Sequence, residues 1–254
     1  DSSIRSQRSM QEVLSGLSQM GATAISTRGN GLAPVFFKGP LVGREAKING
    51  PDSQPVSSLM IAAALRGGKC RINVDEMGEV PWIKLTALWL EKAGAEVVLD
   101  SQGISISMES PFCPFQYEIG GDISSAAFPA AAALISGSEI ELKGIIQGDG
   151  QGDIRFFQLI EQMGAKLLWS PCGTSLRVSP GQLKGIEADI NDCIDAIAAL
   201  SAIACYAEGK TVIRNAKAAR SKECDRIRAL SIELKKMGAR VTALDDGLII
   251  EGGS

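Results

Sequence analysis

Apolar residues recur at helical spacing through SMQEVLSGLSQM, residues 9–20, where Met10, Val13, Leu14, Leu17 and Met20 share one face. Gly21 closes the run, and a glycine there can take the positive φ of a helix C-terminus. ATAIS follows as a strand, residues 28–34 as a turn, and PVFFKGP as a short strand. KINGPDSQPVSS leads into the helix SSLMIAAALRG, with Pro55 suited to a first turn. CRINV then reads as a strand, EVPW as a loop, IKLTALWLEKAG as a helix, and AEVVL and ISISM as strands. The alternation returns in the second half. EIGGDISSAAF opens a helix, EIELKGI is a strand, IRFFQLIEQMG a helix, and AKLLW and SLRVS are strands. The apolar run DINDCIDAIAALSAIACYAEG, the strand TVIRNA and the helix RIRALSIELKKMG come next. RVTAL and GLIIEG form a hairpin around Asp245-Asp246-Gly247.

The pattern is periodic. Four helical runs end in Gly-Ala and pass into a strand, at Gly21, Gly94, Gly164 and Gly238, with spacings of 73, 70 and 74 residues. A second series ends at Gly67, Gly137 and Gly209, spaced 70 and 72 apart. A fixed period of this length marks one supersecondary unit used repeatedly. Each period holds two helices and roughly four strands. Several helices, such as MIAAAL and IAALSAIA, are apolar nearly all round and belong in a core. The expected fold class is α/β, with sheets covering a core of helices. The period is cut out of phase at both ends. The best candidate for a domain boundary is EIGGD, residues 118–122, which divides the chain near its middle between repeats; a single compact domain also fits the periodicity.

Composition narrows the chemistry. Of the 254 residues, 45% are hydrophobic but only 5% aromatic, so the core is aliphatic and alanine-based. A net charge of −3 lacks the basic footprint of non-specific nucleic-acid binding. Histidine is absent and none of the six cysteines forms a CxxC pair, which argues against a transition-metal site and excludes imidazole catalysis. Cys193 and Cys205 sit in or beside an apolar helix, as small buried hydrophobes do. DSSIRSQRSM contains no apolar signal core, and AAFPAAAALISG is too short to span a bilayer. A reduced, cytoplasmic protein is expected.

Polar residues collect ahead of the helices. The clusters are Arg5-Ser6-Gln7-Arg8, Asp52-Ser53-Gln54, Glu79-Val80-Pro81-Trp82, Gly121-Asp122-Ile123-Ser124-Ser125, the GDGQGD loop to Asp153, Asn191–Asp195, and Arg220–Arg226. Helix N-termini carry unpaired N–H groups and favour anions. Asp122, Ser124, Ser125 and Asp153 are also natural helix caps. GDGQGD lacks the lysine and spacing of a P-loop. The Lys222–Arg226 cluster is either a solvated helix start or a reaction centre. Asp195, at the mouth of a long apolar helix, needs a hydrogen bond or charge partner.

GDISSAAFPAAAALISG, QGDIRFFQLIEQMGA, DCIDAIAALSAIACYAEGKTVIRNA and RSKECDRIRALSIELKKMGA together resemble the 3-phosphoshikimate 1-carboxyvinyltransferase (EPSP synthase) family of enolpyruvyl transferases. The resemblance continues through QRSMQEVLSGLSQMGA and DSQPVSSLMIAAAL, and so covers essentially the whole chain. It implies two lobes built from βαβαββ units. Residues 1–121 would belong to the lobe formed by the middle of the full sequence and 122–254 to the other, both lobes incomplete. It implies transfer of the enolpyruvyl group of phosphoenolpyruvate to the 5-hydroxyl of shikimate 3-phosphate, with release of phosphate and without metal or organic cofactor.

Carried over by motif, Arg8 is expected to bind the phosphoenolpyruvate anion. Ser53 and Gln54 would contact the shikimate phosphate and ring, with Trp82 as a flat wall. Asp195 would hydrogen-bond the reacting hydroxyl, Lys222 would help move its proton, and Glu223 would protonate the methylene carbon. Arg226 would hold the phosphoenolpyruvate carboxylate. The chain departs from the family pattern at Asp52 and Glu79, where serines are expected, at Trp82 for tyrosine, and at Ala218 for asparagine. Further anion ligands of the family would lie outside these residues. Two alternatives follow: a related transferase acting on a nucleotide sugar, or a non-catalytic structural fragment. Such a fragment would self-associate or need a complementary chain. Neither a membrane nor a nucleic-acid partner is expected.

Overall fold

A computed structural model describes residues 5, 6 and 8–253. Contacts divide the chain into two compact units, one ending at Tyr117 and the other beginning at Glu118.

The N-terminal unit begins with α1 (Gln11–Gln19) and an antiparallel ribbon of β1 (Thr23–Ser26) and β2 (Val35–Lys38). Then come β3 (Glu45–Asn49), α2 (Ser53–Arg66), β4 (Gly68–Asp75), α3 (Val80–Lys92), β5 (Glu96–Asp100) and β6 (Gly103–Met108). The four strands form one sheet in the order β3-β4-β6-β5, with β3 and β4 parallel and the other pairs antiparallel. Alternation explains which side of the sheet is buried: Cys70, Ile72 and Val74 of β4 face inward while the residues between them are more exposed. Against them pack Val56, Leu59, Met60 and Ala63 of α2 and Ile83, Ala87 and Leu90 of α3.

The C-terminal unit holds α4 (Ile123–Ile135), β7 (Ile140–Lys143), α5 (Ile154–Gln162), β8 (Lys166–Trp169) and β9 (Ser175–Ser179). These are followed by β10 (Glu187–Asp189), α6 (Ile197–Tyr206), β11 (Lys210–Arg214), α7 (Arg226–Lys236), β12 (Arg240–Leu244) and β13 (Gly247–Glu251). Short 3-10 turns, Asn191–Ala196 and Lys217–Ser221, precede α6 and α7. The last four strands run in the order β10-β11-β13-β12, again with only the first pair parallel. This is the topology of the N-terminal sheet, strand for strand, and both follow the succession βαβαββ. The middle sheet, β7-β9-β8, has the second, fourth and third strands of the same pattern. At the place of the first, Gly121 donates a single hydrogen bond to the Gly144 carbonyl, 2.7 Å.

The Gly-Ala endings have one structural cause. Gly21, Gly94, Gly164 and Gly238 take φ of 92°, 101°, 111° and 94°. After each, the alanine N–H reaches back five residues to a helix carbonyl, at 3.0 Å in all four cases. This is the Schellman closure that satisfies a helix C-terminus and turns the chain into the next strand.

The sequence reading misses β3 and β10, and it treats Val80–Trp82 as loop where α3 has already begun. Both missed strands occupy the same place in the repeat. They are short, and only Ala46 and Ile48 of one, and Ala188 of the other, face inward between charged or polar neighbours. Such edge strands carry little hydrophobic signal.

Cys193 is fully buried and Cys205 half-buried; all six thiols are free. Cys172, exposed in the β8–β9 turn, is different. Its Sγ lies 3.4 Å from Ser170 Oγ and 3.0 Å from Thr174 Oγ1. Hydrogen bonds from Ser170, then Thr174, favour the thiolate and lower its pKa to about 7. Cys172 should therefore alkylate with a rate that levels off above about pH 7. Peptide mapping after iodoacetamide treatment across pH checks this. An inflection near the ordinary thiol value of about 8.5 would refute it.

Candidate active site

In the N-terminal unit, the expected residues gather at the N-termini of α2 and α3. Asp52 caps α2, its Oδ1 accepting from the Gln54 N–H at 2.9 Å. Its Oδ2 lies 3.5 Å from Arg8 Nη2. Arg8, Asp52 and Gln54 line one cavity of about 150 Å³, together with Ser9, Met10 and Val13. Trp82 is half-buried in the first turn of α3 and does not line that cavity. Gln7 lies outside the described residues.

Ser53 is buried rather than open to a ligand. Its backbone N–H and its hydroxyl both donate to Glu79 Oε2, at 3.0 and 2.9 Å. Glu79 is 2% exposed. It stands at the N-cap of α3 with φ 47° and ψ 41°, a left-handed conformation uncommon for a non-glycine residue. Before it, Gly78 packs so tightly on Pro51 that a Cβ would fall 2.4 Å from the Pro51 oxygen. Backbone approach thus delivers the Glu79 carboxylate to the first turn of α2.

In the C-terminal unit, Asp195, Glu223 and Arg226 meet directly. Arg226 donates through Nη1 to Asp195 Oδ1 and through Nη2 to Glu223 Oε2, the latter at 2.8 Å. Burial lowers the pKa of this guanidinium, but the hydrogen bonds to Asp195 and Glu223 outweigh it, and the net shift is upward. Lys222 is the neighbour in sequence and is 6% exposed. A buried ammonium is costly unless a partner offsets its lost hydration. Asp195 and Arg226 also line a cavity of about 470 Å³ whose other walls include Phe128, Ile197, Ala229 and Leu230.

Backbone irregularity holds these groups in place. Asp195 sits in the 3-10 turn ahead of α6, beyond Cys193, whose φ of −137° and ψ of 50° break the helical path. The segment ahead of α7 is pinned by Arg220, which the sequence reading places in a polar cluster without a role. Its Nη1 donates to Asp225 Oδ2, its Nε to the Asp245 carbonyl, and its Nη2 to the Leu244 carbonyl, each at 2.7 Å. Asp225 in turn caps α7, accepting from the Arg228 N–H at 2.9 Å. The signal in the sequence is an arginine five residues before a helix-capping aspartate. Its second partner, a turn carbonyl 25 residues away, has no sequence signature.

Among the described residues, no cluster of three or more His, Cys, Asp or Glu side chains is placed to hold a metal ion. Among them too, no helix is long and apolar enough to cross a membrane.

Residues 1–254 match the family described as EPSP synthase (3-phosphoshikimate 1-carboxyvinyltransferase). The chain is 39% identical over 251 residues to the 3-phosphoshikimate 1-carboxyvinyltransferase of Acetivibrio thermocellus, covering 98% of this chain and 59% of that protein. It is 38% identical over 255 residues to that of Methanothrix thermoacetophila, covering 100% and 60%. The solved EPSP synthase of Acinetobacter baumannii superposes with a TM-score of 0.77 at 27% identity, over 100% of this chain and 59% of that one. The enolpyruvyl transferase NikO of Streptomyces tendae shares the fold, with a TM-score of 0.72 at 18% identity. The chain spans about 60% of the length of the curated relatives it matches.

Proposed function

Since the chain belongs to the EPSP synthase family, we propose that its two units serve enolpyruvyl transfer from phosphoenolpyruvate to the 5-hydroxyl of shikimate 3-phosphate. They are read as parts of the two lobes of a protein of the relatives' length. The observation that carries the proposal is Arg226 bridging Asp195 and Glu223, with buried Lys222 adjacent. A C–O bond forms between the acceptor oxygen and C2 of phosphoenolpyruvate. Asp195 orients the hydroxyl, Lys222 helps move its proton on to the phosphate that departs, and Glu223 delivers a proton to the methylene carbon. Elimination then breaks the C–O bond to phosphate, returns a proton from the methyl group, and releases inorganic phosphate. Proton transfer by positioned side chains suits an enol ether, which needs an acid and a base at opposite ends of the double bond.

Arg226 lends fixed positive charge to an anionic substrate, and its donors hold the two carboxylates toward one point. Arg8 and Gln54, on a shared cavity in the N-terminal unit, supply a further anion contact. The substrates are small anions, and the cytoplasm is the compartment we infer for the reaction. The test is phosphate release from phosphoenolpyruvate that depends on shikimate 3-phosphate, with the product identified by mass. Measured on a protein of the relatives' length, dependence on a nucleotide sugar instead would replace the acceptor assignment. No turnover with either acceptor would refute enolpyruvyl transfer.

A further inference from the structure

The N-terminal unit holds a further cavity, of about 560 Å³, away from the residues proposed for chemistry. Its position follows from the sheet register. β4 starts directly after α2, and the pairing of β4 with β6 sets Gly68 opposite Met108. The end of α2 therefore meets the segment that leaves β6, and Arg44, one residue ahead of β3, reaches the same place. The 14 residues of α2 set this cavity about 20 Å from Asp52 and Gln54 at the other end of the helix. Its size is that of a small-molecule site.

The walls carry three kinds of group. The first is a pair of guanidiniums, Arg44 and Arg66. Among the described residues, every hydrogen bond they donate goes to a peptide carbonyl. Arg66 donates to those of Gly43, Gly67 and Val42, at 2.9, 2.8 and 3.0 Å, and Arg44 to that of Lys69 at 3.2 Å. Carbonyls solvate a cation but do not cancel its charge. Arg71, in the same sheet, is instead held by the Asp100 carboxylate at 2.7 and 2.8 Å. Gly68, at φ 65°, makes room for Arg44: a Cβ there would lie 2.7 Å from Nη1. The second kind is a single carboxylate, the exposed Glu109, which accepts from the Ser107 hydroxyl at 3.1 Å. The third is apolar, Leu65 and Phe112, which are 67% and 39% exposed.

Two cations, one anion and an apolar wall select a ligand by elimination. An inorganic anion would meet the Glu109 carboxylate and make no use of Leu65 or Phe112. A cation would meet two guanidiniums. A zwitterion with an apolar body satisfies all three: its carboxylate takes guanidinium donors, its ammonium pairs with Glu109, and its side chain covers Leu65 and Phe112. We propose that this cavity binds a free α-amino acid with an apolar side chain, held by Arg44 and Arg66 through its carboxylate and by Glu109 through its ammonium. The site shares no residue with the proposed enolpyruvyl-transfer centre.

The probe is L-leucine, titrated into the full chain and followed at the Gly67 and Gly68 backbone amides by NMR. Isocaproate, which lacks the ammonium, and isoamylamine, which lacks the carboxylate, are titrated in parallel. The expected result is saturable leucine binding, with each truncated compound weaker on the order of 10–100-fold, the loss of one charge-assisted contact. Arg44→Gln should weaken leucine by a similar factor without weakening isoamylamine. Glu109→Gln should weaken leucine without weakening isocaproate. Both residues are exposed, so these changes spare the core, whereas Arg66 ties α2 to the Val42–Gly43 segment and is left intact. No saturation by millimolar leucine overturns the proposal. So does a truncated compound that binds as tightly as leucine, leucine affinity unchanged in either variant, or shifts centred on Ser9 and Gln54 in the smaller cavity. Saturation must also hold in a protein of the relatives' length; binding confined to the 254-residue chain would show the cavity covered in the longer protein and would overturn the site.

Discussion

Turnover is expected to fall on the order of 10²–10⁴-fold when Lys222 is replaced by methionine or Glu223 by glutamine, in a protein of the relatives' length. Lys222→Met removes the ammonium and its transferable proton but keeps the aliphatic stem, which is the part that packs. With Lys222 only 6% exposed, the methionine enters a place already shaped for that stem. Glu223→Gln removes the acid while leaving a carbonyl oxygen that still accepts from Arg226 Nη2, now at 2.8 Å. The bridge to Asp195 therefore survives and the loop keeps its shape. Asp195→Asn should also slow the reaction, because it weakens control of the reacting hydroxyl without emptying the position. A purely structural role for this network predicts the reverse: lower thermal stability with turnover little changed. Binding, unfolding and turnover measured on the same preparations separate the two, and near-normal turnover in both the Lys222 and Glu223 variants would sink the acid–base assignment.

The second large effect concerns stability. Gly103 and Gly247 begin the last strand of each four-stranded sheet, against the central strand. A Cβ at Gly103 would fall 2.0 Å from the Ile72 carbonyl oxygen, and one at Gly247 would fall 1.8 Å from that of Ile213. These are backbone atoms paired within a sheet, so no rotamer change relieves the clash. Gly103→Ala and Gly247→Ala should each cost about 2–3 kcal/mol or more, as overpacking does. That is a large share of the roughly 5–15 kcal/mol that holds a domain folded. Gly137→Ala is the comparison: its φ of 68° is unfavourable for alanine, but nothing lies within 4 Å of the added carbon. It should cost only about 1 kcal/mol. Urea unfolding of the three variants decides the matter; equal losses would mean that close approach is not what these glycines provide.

The helices are legible because they are long, periodic and punctuated: a capping aspartate at the start of α4, and Gly-Ala at the end of α1, α3, α5 and α7. The strands of β5–β6 and β8–β9 are legible as apolar runs on either side of a turn, and the β12–β13 hairpin from its turn, Asp245-Asp246-Gly247. What escaped was β3 and β10, whose inward positions carry an alanine and an isoleucine or an alanine alone, too little to stand out from the charged residues around them. In the site, the charged cluster at 220–226 stands out through its composition, and Asp195 as a carboxylate at the mouth of an apolar helix that needs a partner. That Asp195 and Glu223 converge on Arg226 depends on two 3-10 turns with no sequence signature. The pairing of Ser53 with Glu79 depends on contacts across 26 residues and on the close passage of Gly78 past Pro51. Glu79 stood out as a departure from a family pattern, but only geometry shows that its carboxylate is buried against a helix start.

Arg220 gives this arrangement an order in time. It grips the carbonyls of Leu244 and Asp245 with the same guanidinium that holds Asp225, so the segment from Lys222 to Asp225 rests on a turn made later in the chain. Synthesis proceeds from the N-terminus, and structure forms as the chain emerges. A nascent chain that has exposed its lysine and glutamate still lacks the scaffold that shapes them. The segment proposed to carry the chemistry therefore takes its final shape from a hairpin, β12–β13, encoded some twenty residues after it.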